Sequence, residues 1–288
     1  MMHTIFTSRS RIIAVSAILA STTLVGSAGA QGWSGNIEVG FFGTDRTSTD
    51  TDIEGSPFSG LYLGGQAQMN YGSTMVSIDG RYEVIDDQGL NNTYESGPVH
   101  GGVLGLHVGQ EFGAAFVGVF AAAGYFDAYE QDGPESGTIL GLEASYALPS
   151  NTKLYAQIGA VEAIGDPNDN EYVGYAGRLG AMHDYSEAIS VGASFEFGQS
   201  DDCFVDCGDQ PGEFTSFTLD GAYAVSSNID AVGSIMYMDV YDEDDDDTGT
   251  DLSVFVGLRM NLGGTASNSA LTTPMGAFRA AGWMEPLD

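Results

Sequence analysis

The chain is predicted to be an all-β protein, a closed antiparallel transmembrane β-barrel of about twelve strands in an up-and-down meander. Three observations carry that prediction. Between Ile37 and Leu262, segment after segment alternates large apolar residues with small or polar ones, which gives a strand one oily face and one wet face. The segments are joined in rotation by tight turns and by long acidic loops. No apolar run of spanning-helix length accompanies them, so a sheet oily on one side and wet on the other is explained by closure in a lipid bilayer.

Taken in order, Ile37, Val39 and Phe41 alternate with Asn36, Glu38 and Gly40. Leu61, Leu63, Ala67 and Met69 alternate with Tyr62, Gly64, Gln66 and Gln68; after the turn at Gly72-Ser73, Val76, Ile78, Tyr82 and Val84 oppose Ser77, Asp79, Arg81 and Glu83. Leu104, Leu106 and Val108 oppose Gly105, His107 and Glu111. Residues 115–126 are apolar on both faces, which leaves their register open, and 229–241 share that ambiguity. Leu140, Leu142 and Ala144 oppose Gly141, Glu143 and Ser145; Leu154, Ala156 and Ile158 oppose Tyr155, Gln157 and Gly159. Tyr175, Leu179 and Ala181 oppose Gly174, Arg178 and Gly180, and Val191, Phe195 and Phe197 oppose Gly192, Ser194 and Glu196. Phe217, Leu219 and Tyr223 oppose Thr218, Asp220 and Ala222, and the final segment sets Leu252, Val254, Val256 and Leu258 against Ser253, Gly257 and Arg259.

An even strand count leaves both chain ends on one side and makes connection lengths alternate. Long connections fall near 44–57, 86–99, 127–136, 165–171, 200–213 and 242–251, and short ones centre on Ser73, Gly113, Ser150, Glu187 and Ser227. The long windows hold 26 of the 40 acidic residues and one basic residue, Arg46, so acidity belongs to one rim. A water-soluble β-sandwich has no need of twelve segments with such rotation.

The first thirty residues read as a secretory signal: Arg9 and Arg11 precede an apolar stretch from Ile12 to Val25, and Ser27-Ala28-Gly29-Ala30 offers a small-residue cleavage site. The predicted organisation is a signal over 1–30, a barrel over 31–264 and a periplasmic C-terminal tail over 265–288. After cleavage 6 basic residues face 40 acidic ones, a formal charge of -34. That excess excludes nucleic acid and a direct electrostatic hold on anionic lipid. Hydrophobic content of 43% excludes the disorder that usually accompanies strong acidity.

On these residues the chain resembles the outer-membrane β-barrel proteins of Gram-negative bacteria, over about residues 33–262. The last strand is the most specific part, with Ser253, Gly257, Met260 and Leu262 in the outline of a barrel-assembly signal. It departs from that outline in ending on Leu262 rather than an aromatic, and in being followed by residues 263–288. The resemblance implies assembly by the barrel machinery, long loops outside the cell, both termini in the periplasm, and contact with outer-membrane lipid and lipopolysaccharide.

The wet face is where function is expected. Glu38, Asp79, Arg81, Glu83, Glu111, Glu143, Arg178, Glu196, Asp220 and Arg259 are predicted to line the lumen, with glycines between them leaving room for water. Carboxylates outnumber guanidiniums, which favours a narrow, porin-like channel passing small hydrophilic solutes with cation preference. The alternative is a non-conducting surface barrel in which the arginines brace the acids, and whose acidic loops mediate adhesion or metal-bridged lipopolysaccharide contacts. Asp244, Asp245, Asp246 and Asp247 gather carboxylate oxygens suited to loosely bound Ca²⁺ or Mg²⁺, although the glycine and terminal glutamate of an EF-hand loop are missing. No other cofactor is expected. Cys203 and Cys207 share one external loop of an exported protein and are expected to form a local disulfide. Catalysis is not expected: His100, His107 and His183 show no serine and polar orienter on one strand face, and His107 has Glu111 four residues on. The tail from Thr265 carries Met275, Phe278, Trp283 and Met284 among small residues; it trails in the periplasm, packs at the barrel mouth, or enters and occludes the lumen.

Overall fold

A computed structural model describes residues 33–48, 58–86, 100–126, 135–164, 173–200, 212–242, 248–263, 271–276 and 278. Twelve strands follow in chain order: β1 (Trp33–Ser48), β2 (Phe58–Tyr71), β3 (Thr74–Asp86), β4 (His100–Phe112), β5 (Ala115–Phe126), β6 (Glu135–Leu148), β7 (Thr152–Ile164), β8 (Val173–Asp184), β9 (Ile189–Ser200), β10 (Gly212–Ala224), β11 (Ile229–Asp242) and β12 (Thr248–Leu262). Each pairs antiparallel with its sequence neighbours, and β1 closes the barrel on β12 from Gly35↔Leu262 to Ser48↔Gly249. Closure leaves no edge strand, so every strand is paired on both sides.

The short connections lie where the sequence places them, and local chemistry explains three. Gly72, Gly113 and Asn151 have φ of 59°, 66° and 56°, the left-handed region that tight hairpins need and that Gly and Asn tolerate. These turns share one end of the barrel with the start of β1 and the end of β12; the long connections occupy the other. The two are called the short-turn end and the long-loop end below.

The outer surface is apolar. Phe41, Leu140 and Leu142 are each more than 60% exposed, and Val256, Leu258, Ile158 and Leu104 more than half. In water each such side chain would forgo about 1.5–3 kcal/mol of burial, so an all-round oily surface fits lipid and not solvent. Aromatic rings flank it: Trp33, Tyr71, Phe112, Tyr146, Tyr185 and Tyr223 toward the short-turn end, and Tyr82, Tyr125, Tyr175 and Tyr241 toward the long-loop end. Two girdles bounding an apolar band are the surface of a membrane-spanning barrel.

The two strands of open register are settled by burial. In β5, Phe116, Phe120 and Ala122 face inward and Val117 and Val119 outward; in β11, Met236, Met238 and Val240 face inward and Ile235 and Tyr237 outward. The ambiguity has a physical origin, because toward the long-loop end the interior is itself apolar. Phe42, Tyr62, Val103, Phe120, Ile139, Phe214, Met238 and Phe255 form a continuous buried cluster there, and Phe42 stacks on Phe255 at 5.5 Å.

This corrects the expectation that inward glycines leave room for water. Most are covered by an aromatic ring from the wall: a Cβ built on Gly141 would lie 2.5 Å from Phe120, on Gly198 2.2 Å from Phe214, on Gly40 2.6 Å from Tyr62, and on Gly60 2.7 Å from Phe42. The missing side chain lets each ring lie flat along the wall. Only toward the short-turn end do inward glycines such as Gly64 and Gly192 keep open space, with neighbours no nearer than 3.5 Å.

Candidate functional site in the lumen

Strand alternation aims all ten predicted lumen residues inward, and the structure sorts eight of them into local groups on the same, adjacent or nearby strands. Arg259 of β12 donates from Nε to Glu38 Oε2 of β1 at 3.0 Å, across register partners. Arg81 of β3 donates from Nε to Glu83 Oε1 at 2.6 Å, and its guanidinium lies over the rings of Tyr62 at 4.2 Å and Phe255 at 4.7 Å. Arg178 Nη1 of β8 stands 3.6 Å from Glu196 Oε1 of β9, again across register partners. Each guanidinium is therefore matched to a carboxylate beside it.

His107 organises a third kind of group. Its side chain is fully buried and stacks on Phe120 at 5.8 Å. Nδ1 meets Glu143 Oε2 at 2.8 Å and Nε2 meets Asp79 Oδ1 at 2.5 Å, while Gln157 Nε2 also donates to Glu143 Oε2 at 3.1 Å. The sequence pairing of His107 with Glu111 is thus replaced by partners from β3 and β6, which spacing along one strand does not reveal. Glu111 instead sits exposed at the short-turn end, opposite Phe116 in register. With both ring nitrogens engaged by carboxylates, neither is left to activate a nucleophile. His100 lies against Tyr82 and Tyr125 toward the long-loop end, and His183 meets Thr152 Oγ1 at 3.0 Å near a short turn.

What fills the space between these groups is the tail, for which the sequence left three placements open. The assignment of 265–288 as a periplasmic tail is corrected for its described part, because residues 271–276 and 278 lie inside the barrel. Gln66 Nε2 donates to the Leu271 carbonyl at 3.1 Å, and Arg178 donates to the carbonyl and hydroxyl of Thr272. The Thr273 amide and hydroxyl donate to the two carboxylate oxygens of Asp79 at 3.1 and 3.2 Å, and the Gly276 amide donates to Glu196 Oε2 at 2.6 Å. Leu271 packs with Met75 and Phe116 toward the short-turn end, while Phe278 joins the apolar cluster toward the other. The segment climbs the lumen with its backbone read by wall side chains, which offsets the cost of taking peptide groups from water.

Two glycines make room for it. A Cβ on Gly105 would fall 1.9 Å from Thr273 Oγ1, and one on Gly124 would fall 2.7 Å from the Phe278 ring. Beside the segment remains a cavity of about 270 Å³, bounded by Glu38, Arg81, Arg178, Glu196, Asp220 and Arg259 together with Thr272, Thr273 and Met275. The sequence did not settle where the tail sits, because a segment anchored largely through its backbone has no period. Its Thr272-Thr273 hydroxyls and the bulk of Leu271 and Phe278 stand seven residues apart with nothing to say where they dock.

Among the described residues no group of three or more His, Cys, Asp or Glu side chains is arranged to hold a metal ion. Cys203, Cys207 and Asp244 to Asp247 lie outside the described residues.

A closed barrel, apolar toward lipid and ionic within, defines the chain as a transmembrane β-barrel protein. No protein-family model matches it, and no curated protein matches it in sequence. Among solved structures it is similar to outer-membrane barrels. An anion-selective porin from Comamonas acidovorans is 12% identical over 80% of this chain and 98% of its own, with a TM-score of 0.43. The translocator domain of the autotransporter NalP from Neisseria meningitidis is 8% identical over 88% and 97%, at 0.45. The outer-membrane protein OmpT of Vibrio cholerae is 12% identical over 79% and 98%, at 0.42. Likeness of this degree carries nothing about what this chain binds or passes.

Proposed function

We propose that the protein is a porin-like channel of the Gram-negative outer membrane, non-enzymatic, narrow and cation-favouring, which its own C-terminal segment holds shut. In this reading the short turns and both termini are periplasmic, so the tail enters from below. The single observation that carries the reading is residues 271–276 hydrogen-bonded inside the lumen, to Gln66, Asp79, Arg178 and Glu196. A barrel built only as a surface scaffold needs no filling held by polar wall contacts, whereas this one holds residues 271–276 and 278 inside it. The ionic cavity beside the segment supports passage of small hydrophilic solutes, and an excess of acid supports cations.

Purified protein in planar bilayers tests this. The wild type is expected to show rare or small openings. Gly105→Val and Gly124→Val, which push against Thr273 and Phe278, are expected to raise open probability. A Gly105→Cys/Thr273→Cys pair, with Cys203 and Cys207 replaced by serine, should close under oxidant and reopen under reductant. Silence of both valine variants, with heat-modifiable mobility proving an intact barrel, sinks the channel and leaves the non-conducting surface barrel.

A further inference from the structure

We infer that Asp220 sets the charge preference of the cavity beside the C-terminal segment. The inference rests on the channel reading and narrows it, within that cavity, to one residue. Counting carboxylates credits the lumen with a general acidity that the side-chain geometry removes. Glu38 is held by Arg259, Glu83 by Arg81 and Glu196 by Arg178. Asp79 and Glu143 share His107, and Asp79 also takes the amide and hydroxyl of Thr273. The three arginine pairs present small local dipoles to a passing ion, and a dipole's field falls off faster with distance than a charge's. The trio of two carboxylates and one imidazole keeps net negative charge, but it is buried and its Asp79 oxygens are covered by Thr273.

Asp220 differs on three counts. Among the described residues no cationic group lies within 4.0 Å of its carboxylate and no hydrogen bond reaches it. Its register partners are Gly192 on β9 and Ser234 on β11, which bring no charge. It is also solvent-exposed although it points inward, and it faces the cavity that Arg81, Arg178 and Arg259 share. A carboxylate in a confined aqueous space attracts small cations and repels anions along the axis. The chemical class it selects is the small monovalent cation, inorganic or ammonium-like, because one carboxylate without a second free one does not make the oxygen cage a divalent ion prefers.

Reversal potentials under a KCl gradient, measured on full-length protein carrying Gly124→Val, which touches none of the ion pairs, decide the matter. Asp220→Asn is expected to lower the K⁺ over Cl⁻ permeability ratio severalfold, to about one, and Asp220→Lys to take it below one. The charge-neutral double replacement Glu38→Gln/Arg259→Gln is expected to leave the ratio as it was. An unchanged ratio in Asp220→Asn overturns the inference while the channel stands. An equal shift in the double replacement overturns it too, since selectivity would then be shared. Absence of current in every variant, with barrels intact, overturns the channel and this inference with it.

Discussion

The two halves of the lumen are built by the same rule and filled in opposite ways. Toward the long-loop end, inward positions carry Phe42, Phe120, Phe214, Met238 and Phe255, laid over inward glycines to make a dry core. Toward the short-turn end, inward positions carry the Glu38–Arg259 pair, Asp220 and open glycines around a cavity of about 270 Å³, above a small apolar group of Met75, Phe116 and Leu271, while the Arg81–Glu83 pair stands level with Tyr62 and Phe255 at the border of the dry core. Alternation fixes which way a residue points, but the residue's chemistry decides whether that direction means core or water. A barrel of this size has room for both, and the C-terminal segment joins them, with Phe278 in the dry half and Thr272 and Thr273 among the ionic groups.

The sharpest contrast between the halves is expected from truncation. Phe120 is 1% exposed, covers Gly141 and stacks on His107. Phe120→Ala is expected to cost about 3–5 kcal/mol of folding stability. Thr218→Ala, at the cavity wall, is expected to stay within about 0.5 kcal/mol of wild type. Urea titration of refolding into lipid vesicles measures both. Equal costs would mean that the lumen is uniformly packed.

A second test sets the inside against the outside. Leu142 sits mid-strand in β6, paired with Val119 and Ile158, and is 63% exposed. Leu142→Arg is expected to cost about 2–4 kcal/mol in vesicles, as arginine does at a bilayer midplane. The same vesicle titration reads it. A neutral effect would place this surface in water and undo the transmembrane assignment.

How much of this was legible follows from the same division. The lipid-facing rows from Leu61 to Leu258 were readable because one solvent, hydrocarbon, imposes one residue class on every second position. The lumen rows were readable in direction, and Glu38, Arg178 and Glu196 point where alternation puts them. Their partners were not, since Glu143 reaches His107 across a strand between them and Asp79 bridges His107 to the tail. Phe42 and Phe255 were overlooked as lumen residues because an aromatic that points inward looks, in a sequence, like one that points outward. Strands β5 and β11 defied the pattern for the same reason, apolar lipid on one side meeting apolar core on the other. For the tail the sequence left lumen entry as one of three placements, because much of its docking is through backbone groups, which every sequence supplies.

Between the halves lies the Asp79–His107–Glu143 trio, and Glu143→Gln probes it. The substitution keeps shape but removes a charge from a fully buried side chain that accepts from both His107 and Gln157. The expected cost is about 1–3 kcal/mol, the penalty of an imperfectly satisfied buried polar group. The ionic half supplies the comparison. Glu38→Gln breaks its pair with Arg259, yet those side chains are 17% and 27% exposed to the cavity, where water screens them. There the cost is expected to be at most about 1 kcal/mol. Both numbers come from the same refolding titration, and their order matters more than their size. If Glu38→Gln proves the costlier, the short-turn half is drier than its cavity implies, and the division of the lumen into a packed half and a wet one fails.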